Sequence, residues 1–151
     1  MGNARPPSPP PRWRITVIVL CAAMVLSAVV STTAVATSRP ERHLHSLVNQ
    51  ARSANGKGRL ALSESLSRRA HRHSEQMADS GSLFHSCLDC GKQRSPSMAE
   101  NVGVGPNLGA VHNALMDSSG HRSNILGPYD RVGIGVVRRG DRVWVTQLFA
   151  G

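Results

Sequence analysis

Cys87 and Cys90 stand with two residues between them, just after Leu83-Phe84-His85-Ser86, in a stretch rich in Ser, Gly and Pro. A C-x-x-C pair serves as a short local disulfide, as half of a zinc-thiolate site, or as a thioredoxin-type redox couple. No βαβ pattern surrounds residues 87–90, which disfavours the redox couple. Between the other two, the compartment decides. The histidines divide as well. His73 shares a helical stripe with Leu66, Ala70 and Met77, where a hydrogen-bonded core imidazole is the plainer reading than a ligand. His71 is expected to face solvent beside Arg68, Arg69 and Arg72. That basic run reads as a solvated helix face, with contact to an anionic wall polymer or lipid head group as its functional alternative. No G-x-S-x-G elbow, H-E-x-x-H helix or Gly-rich phosphate loop occurs.

The compartment is written at the amino terminus. Residues 1–36 hold Arg5, Arg12 and Arg14, no acid and five of the nine prolines. Residues 15–30 are almost wholly apolar, and Ala34-Val35-Ala36 closes the run in the A-x-A form that signal peptidases read. Cleavage after Ala36 is the preferred reading. An uncleaved anchor is the alternative, since residues 15–36 carry no charge and about 20 residues span a bilayer. Arginines ahead of the run stay in the cytoplasm, so both readings put the rest of the chain outside, secreted or anchored. There a Cys87–Cys90 disulfide is the first choice. Cys21 is an apolar residue of the leader.

The chain has 151 residues and a net charge of +9, and beyond residue 36 it stays basic. That length excludes large multidomain enzymes and repeat arrays, and 40% hydrophobic residues exclude a disordered chain. Residues 37–43 are expected to be a linker, with Pro40 suiting a helix start. Leu44, Leu47, Val48 and Ala51 then form one helical stripe ending near Ala54. Ser63 caps a second expected helix that Gly81 stops near Ser80. Residues 83–97 read as loop and residues 98–104 as extended. A third helix is expected over residues 108–117 and a short helical turn over residues 121–126. Two β-rich runs around Arg139-Gly140-Asp141 form a hairpin. The sum is an α+β domain.

Four blocks, in order, carry a resemblance. They are Ala70-His71-Arg72-His73-Ser74 through Met77 to Leu83-Phe84-His85-Ser86; Ala99-Glu100-Asn101-Val102-Gly103; Met116 to Leu126, containing Gly120-His121-Arg122; and Val132-Gly133-Ile134-Gly135-Val136 leading to Trp144 through Phe149. Together they resemble the bacterial branch of the CAP superfamily, or SCP domain, over residues 44–151. The resemblance implies an α-β-α sandwich with a small central antiparallel sheet and an exported protein. It also implies a cleft of two histidines and two glutamates, sometimes around a divalent metal. His85 and His121 match the histidines and Glu100 the first glutamate, while Ser118 stands where the second acid would be.

Two imidazoles and a carboxylate form a competent zinc set, so His85, His121 and Glu100 are the candidate ligands. Without metal they could move protons. The expected function is a noncatalytic extracellular binding module for a lipid, a cell-wall component or a metal ligand. The alternative is a metal-dependent hydrolase using His85, Glu100 and His121. No cofactor beyond a divalent metal such as zinc is implied. Expected partners are a lipid or an anionic cell-envelope polymer, and the membrane only through an uncleaved leader. Nucleic acid is not expected, because Phe84, Tyr129, Trp144 and Phe149 form no stacking array among the basic residues. The domain is expected to be a monomer.

Overall fold

The computed structural model describes residues 1–2, 37–88 and 98–151. The apolar run, the Ala34-Val35-Ala36 motif, Cys21 and Cys90 lie outside the described residues. Every element below belongs to one unit, Ala34–Gly151.

Helix α1 is Arg39–Ala54, so the expected linker over residues 37–43 is already helical from Arg39. The reason is a capping box. Ser38 Oγ accepts from Glu41 N–H, and Ser38 N–H donates back to the Glu41 carboxylate at 2.7 Å. Helix α2, Glu64–Ser80, is capped by Ser63 and ended by Gly81 in the left-handed conformation, φ +67°. Both residues are those the pattern predicts. Helices α3 (Leu108–Asp117) and α4 (Ser119–Ile125) follow strand β2 (Met98–Gly105). Strands β3 (Arg131–Arg139) and β4 (Arg142–Ala150) form the expected hairpin around Gly140.

The sheet also contains β1 (Ala61–Leu62), and its order is β1-β3-β4-β2. The β2–β4 and β3–β4 pairs are antiparallel, as expected, but β1 adds a short parallel pair to β3. It is held by Ala61 N–H to Asp130 O and Ser63 N–H to Val132 O, both 2.8 Å. Two residues are too few to show an alternating pattern in sequence.

Strand alternation sorts the core into two layers. On one face Val143, Val145 and Phe149 of β4 meet Leu44 and Val48 of α1, Val111 and Leu115 of α3, and Ile125 of α4. On the other, Trp144 packs with Met77 and Ala78 of α2 and Val102 of β2. The result is the α-β-α sandwich. Arg52, buried at the end of α1, closes the first layer by donating to the carbonyls of Gly58 (2.6 Å), Ile125 (2.8 Å) and Gly127 (2.9 Å). One guanidinium thereby ties the turn after α1 to the end of α4.

The second layer rests on the absence of side chains. A Cβ at Gly133 would lie 2.3 Å from the backbone of Leu66, and one at Gly135 would lie 2.2 Å from that of Ala70. No real Cβ tolerates such contacts, so α2 lies directly on β3. The helix is then fixed by Ser67 Oγ, which accepts from Ile134 N–H at 3.1 Å, and by Ser74 Oγ, which donates to Thr146 Oγ1 at 2.9 Å.

Gly135→Ala should therefore push α2 off the sheet and cost about 3 kcal/mol or more. Urea unfolding measures it; a cost below about 1 kcal/mol would contradict the close approach. His112 of α3 supplies a second expectation. It is buried, its Nδ1 has no partner among the described residues, and burial pulls its pKa below the ordinary histidine value. A histidine whose folded pKa lies below its unfolded one binds protons more readily when unfolded. Its contribution is thus full above an unfolded pKa of about 6.5 and is lost as pH falls from there towards the folded value. His112→Leu should flatten part of the acid slope of unfolding free energy below about pH 6.5. An unchanged slope would count against the assignment.

Candidate functional site

α2 delivers the site through its carboxyl end. After the Gly81 turn the chain doubles back, and α2's own side chains hold it there. His73, buried as expected, meets the Phe84 carbonyl through Nε2 at 2.8 Å and the Phe84 ring edge-on at 5.1 Å between centroids. One turn earlier, Arg69 donates to the Cys87 carbonyl at 2.8 Å. Residues 84–87 are thus pinned from both ends, which aims His85 at β2.

There Glu100 receives it. His85 Nδ1–H donates to Glu100 Oε1 at 2.9 Å and Ser86 N–H donates to the same oxygen at 2.8 Å, while Ser86 Oγ donates to Oε2. The Glu100 side chain is 2% exposed and that of His85 60%. A buried carboxylate needs such donors, and three are present. With Nδ1 engaged, His85 presents Nε2 outward.

His121 and Ser118 are placed differently. Glu100 and Asn101 are neighbours on β2 and point to opposite faces of the sheet. Asn101, fully buried, donates through Nδ2 to the His121 carbonyl at 3.0 Å and to Gln147 Oε1 at 3.1 Å. Asn124 of α4 donates to Asn101 Oδ1 at 2.9 Å and to the Glu100 carbonyl at 3.3 Å. α4 is therefore tied to the strand that carries Glu100, and His121 takes part through its backbone. Ser118 is the hinge between α3 and α4, half-buried, and its hydroxyl makes no capping bond. Sequence reasoning missed Ser86, Asn101, Asn124 and Gln147. All four lie inside the recognised blocks, but their bonds join residues far apart in the chain.

The zinc set fits this geometry poorly. Among the described residues no three His, Cys, Asp or Glu side chains form a group able to hold a metal ion. Glu100, expected as a direct ligand, has its oxygens on His85 and Ser86 and supports the imidazole from behind. His71, expected in solvent, is half-buried instead, because the buried carboxylate of Glu41 bonds its Nδ1 at 3.0 Å.

If Glu100 orients His85, Glu100→Ala should release the ring. Nitrogen NMR of the imidazole should report a single Nδ1–H form in the parent at neutral pH and a tautomer mixture in the variant. The same mixture in both would remove Glu100 from that role.

The family model of the CAP, cysteine-rich secretory protein family matches residues 45–149. The uncharacterized protein YkwD of Bacillus subtilis is 33% identical over 125 residues, 74% of this chain and 47% of that protein, so the chain spans about half the length of that relative. Among solved structures, an outer surface protein of Borrelia burgdorferi is similar with a TM-score of 0.67 at 17% identity, covering 76% of this chain and 93% of that one. An extracellular SCP-domain protein of Bacillus anthracis follows at 0.64 and 24%, covering 74% and 40%. These structures share the layered fold of helices around one sheet described above. With four ordered motif blocks, that fold and a family match over residues 45–149, the chain belongs to the CAP family of cysteine-rich secretory proteins.

Proposed function

We propose that this chain is an exported, noncatalytic binding module acting at or beyond the cell surface, with the Leu83-Phe84-His85 edge as its contact. One observation carries the reading. Leu83 is 47% and Phe84 42% exposed, and apart from Met1 they are the exposed large hydrophobic residues among those described. They immediately precede His85 in the chain, whose Nδ1 is held by Glu100 and whose side chain is exposed. An apolar pair next to one fixed polar group suits a ligand with an apolar body and a polar end, such as a lipid or an amphiphilic envelope component.

The local hydrogen bonds favour recognition over hydrolysis. Ser86 Oγ donates its hydrogen bond to Glu100, and no hydrogen bond joins it to His85 among the described residues. A serine nucleophile needs that link to a base. The names of the similar structures, an outer surface protein and an extracellular protein, support an external location, as do Arg12, Arg14 and Ala34-Val35-Ala36. Among the described residues no helix is long and apolar enough to cross a membrane. The Cys87–Cys90 disulfide belongs to the same proposal; Cys87 is not a free thiol, and outside the cytoplasm Cys90 is its nearest candidate.

Titration with a fluorescent fatty acid should give saturable binding that Leu83→Ser with Phe84→Ser weakens about tenfold or more, near 1.4 kcal/mol. Binding unaffected by that pair, or by His85→Ala, would overturn the assignment. Mass spectrometry of the exported chain should find an amino terminus at or near Thr37 and a mass short of two hydrogens. Recovery of only the full-length chain in the membrane fraction would favour the anchor.

A further inference from the structure

A second concave site lies away from His85. A cavity of about 360 Å³ opens between the start of α1, at Thr37, Ser38 and Glu41, and the middle of α2, at Arg68, His71, Arg72 and Glu75. Its charged groups differ in what they are free to do. Glu41, whose side chain is 6% exposed, has one oxygen on Ser38 N–H and the other on His71 Nδ1. His71 then turns Nε2 to Glu75 Oε1 at 3.6 Å, beyond a good hydrogen bond. Arg68 is 4.0 Å from Glu64, with both side chains well exposed, and such a pair is weak. Arg72 is exposed and has no hydrogen bond or ion pair among the described residues. Two guanidiniums and one half-exposed carboxylate are left to face a ligand.

Their spacing specifies its chemistry. Arg68, Arg72 and Glu75 fall at i, i+4 and i+7, on one stripe of α2. A simple anion would meet Glu75, and a simple cation would meet both arginines. A ligand carrying both charges satisfies all three. The planar guanidinium fork matches phosphate oxygens. Arg72 and Arg68 lie about 4.5 and 10.5 Å from Glu75 along the helix axis, so a phosphate shared by the two arginines stands further from Glu75 than two charges on one carbon could reach. A volume near 360 Å³ is at the small end for ligand sites and fits a head group, not a chain. Thr37 in its wall directly follows the apolar run of residues 15–36, so in the uncleaved chain the cavity lies next in sequence to the candidate membrane segment.

We propose that this cavity binds an ethanolamine-type phospholipid head group, its phosphate on Arg68 and Arg72 and its ammonium on Glu75. The site is independent of the His85 edge.

The test uses the full-length chain in detergent and soluble phosphoethanolamine, followed by calorimetry. Saturable binding is expected, weakened about tenfold by Arg72→Gln and by Glu75→Gln, as for loss of one charge-assisted contact, and unchanged by His85→Ala. Inorganic phosphate should bind at least about tenfold more weakly. No saturable binding, tighter binding in Glu75→Gln, or phosphate binding as well as phosphoethanolamine would overturn the proposal. Loss in His85→Ala would move the ligand to the other site and overturn it too. Native mass spectrometry with equal amounts of phosphatidylethanolamine, phosphatidylcholine and phosphatidylglycerol identifies the source. Preferential retention of the ethanolamine lipid, lost in both variants, is expected; equal retention of the three would defeat the lipid assignment.

Discussion

The direct contact of α2 on β3 is the constraint from which the site follows. At Gly133 and Gly135 the strand has no side chain facing the helix, and the helix backbone occupies the space a Cβ would need. Helices usually stand off a sheet by the thickness of their side chains; here the gap is closed, and the polar residues Ser67 and Ser74 can reach Ile134 N–H and Thr146 Oγ1 across it. Those bonds would be out of range with a larger residue between. Once α2 is fixed along the sheet, its end is fixed too. His73 and Arg69 on the same helix then hold the returning loop, and His85 arrives at Glu100.

The other half of the site depends on strand alternation at the sheet edge. β2 is an edge strand, so both of its faces can be served close to solvent. Glu100 takes the α2 face and Asn101 the face of α3 and α4. Consecutive residues therefore anchor two separate structures: the loop after α2, and helix α4. The buried amides of Asn101 and Gln147 and the half-buried amide of Asn124 give the second anchor its direction, since buried polar groups must find partners. Gln147 Nε2 is the one donor of this set without a partner among the described residues.

How much of this the sequence discloses depends on distance along the chain. The stripes Leu44-Leu47-Val48-Ala51 and Leu66-Ala70-His73-Met77, and the stops at Gly81 and Gly140, are local and legible. So is the hairpin. The α1 boundary differs from expectation because of the Ser38–Glu41 reciprocity, although both residues are plain in sequence. β1 is not legible, for its two residues carry no pattern. His71 looks outward by its helical position, and only the tertiary approach of α1 brings Glu41 against it. At the site, the family blocks locate His85 and Glu100 but not the bonds among Glu100, His85 and Ser86, since residue type does not say which atoms meet. Gly133 and Gly135 sit inside one of those blocks, yet what they permit is visible only with α2 in place.

Glu100 shows why the site is rigid as well as polar. A carboxylate almost wholly out of water is tolerable only if donors replace its hydration, because an unpaired buried charge would cost several kcal/mol. Two of its three donors come from Ser86 and the third from His85, all from one short segment with no helical or sheet bonds of its own. The charge thus organises the middle of the loop, adding to the hold that His73 and Arg69 have on its ends. The same bonds set the limits of the chemistry. Glu100 accepts from both Ser86 Oγ and His85 Nδ1, so among the described residues the hydroxyl is bonded to the carboxylate and not to the imidazole.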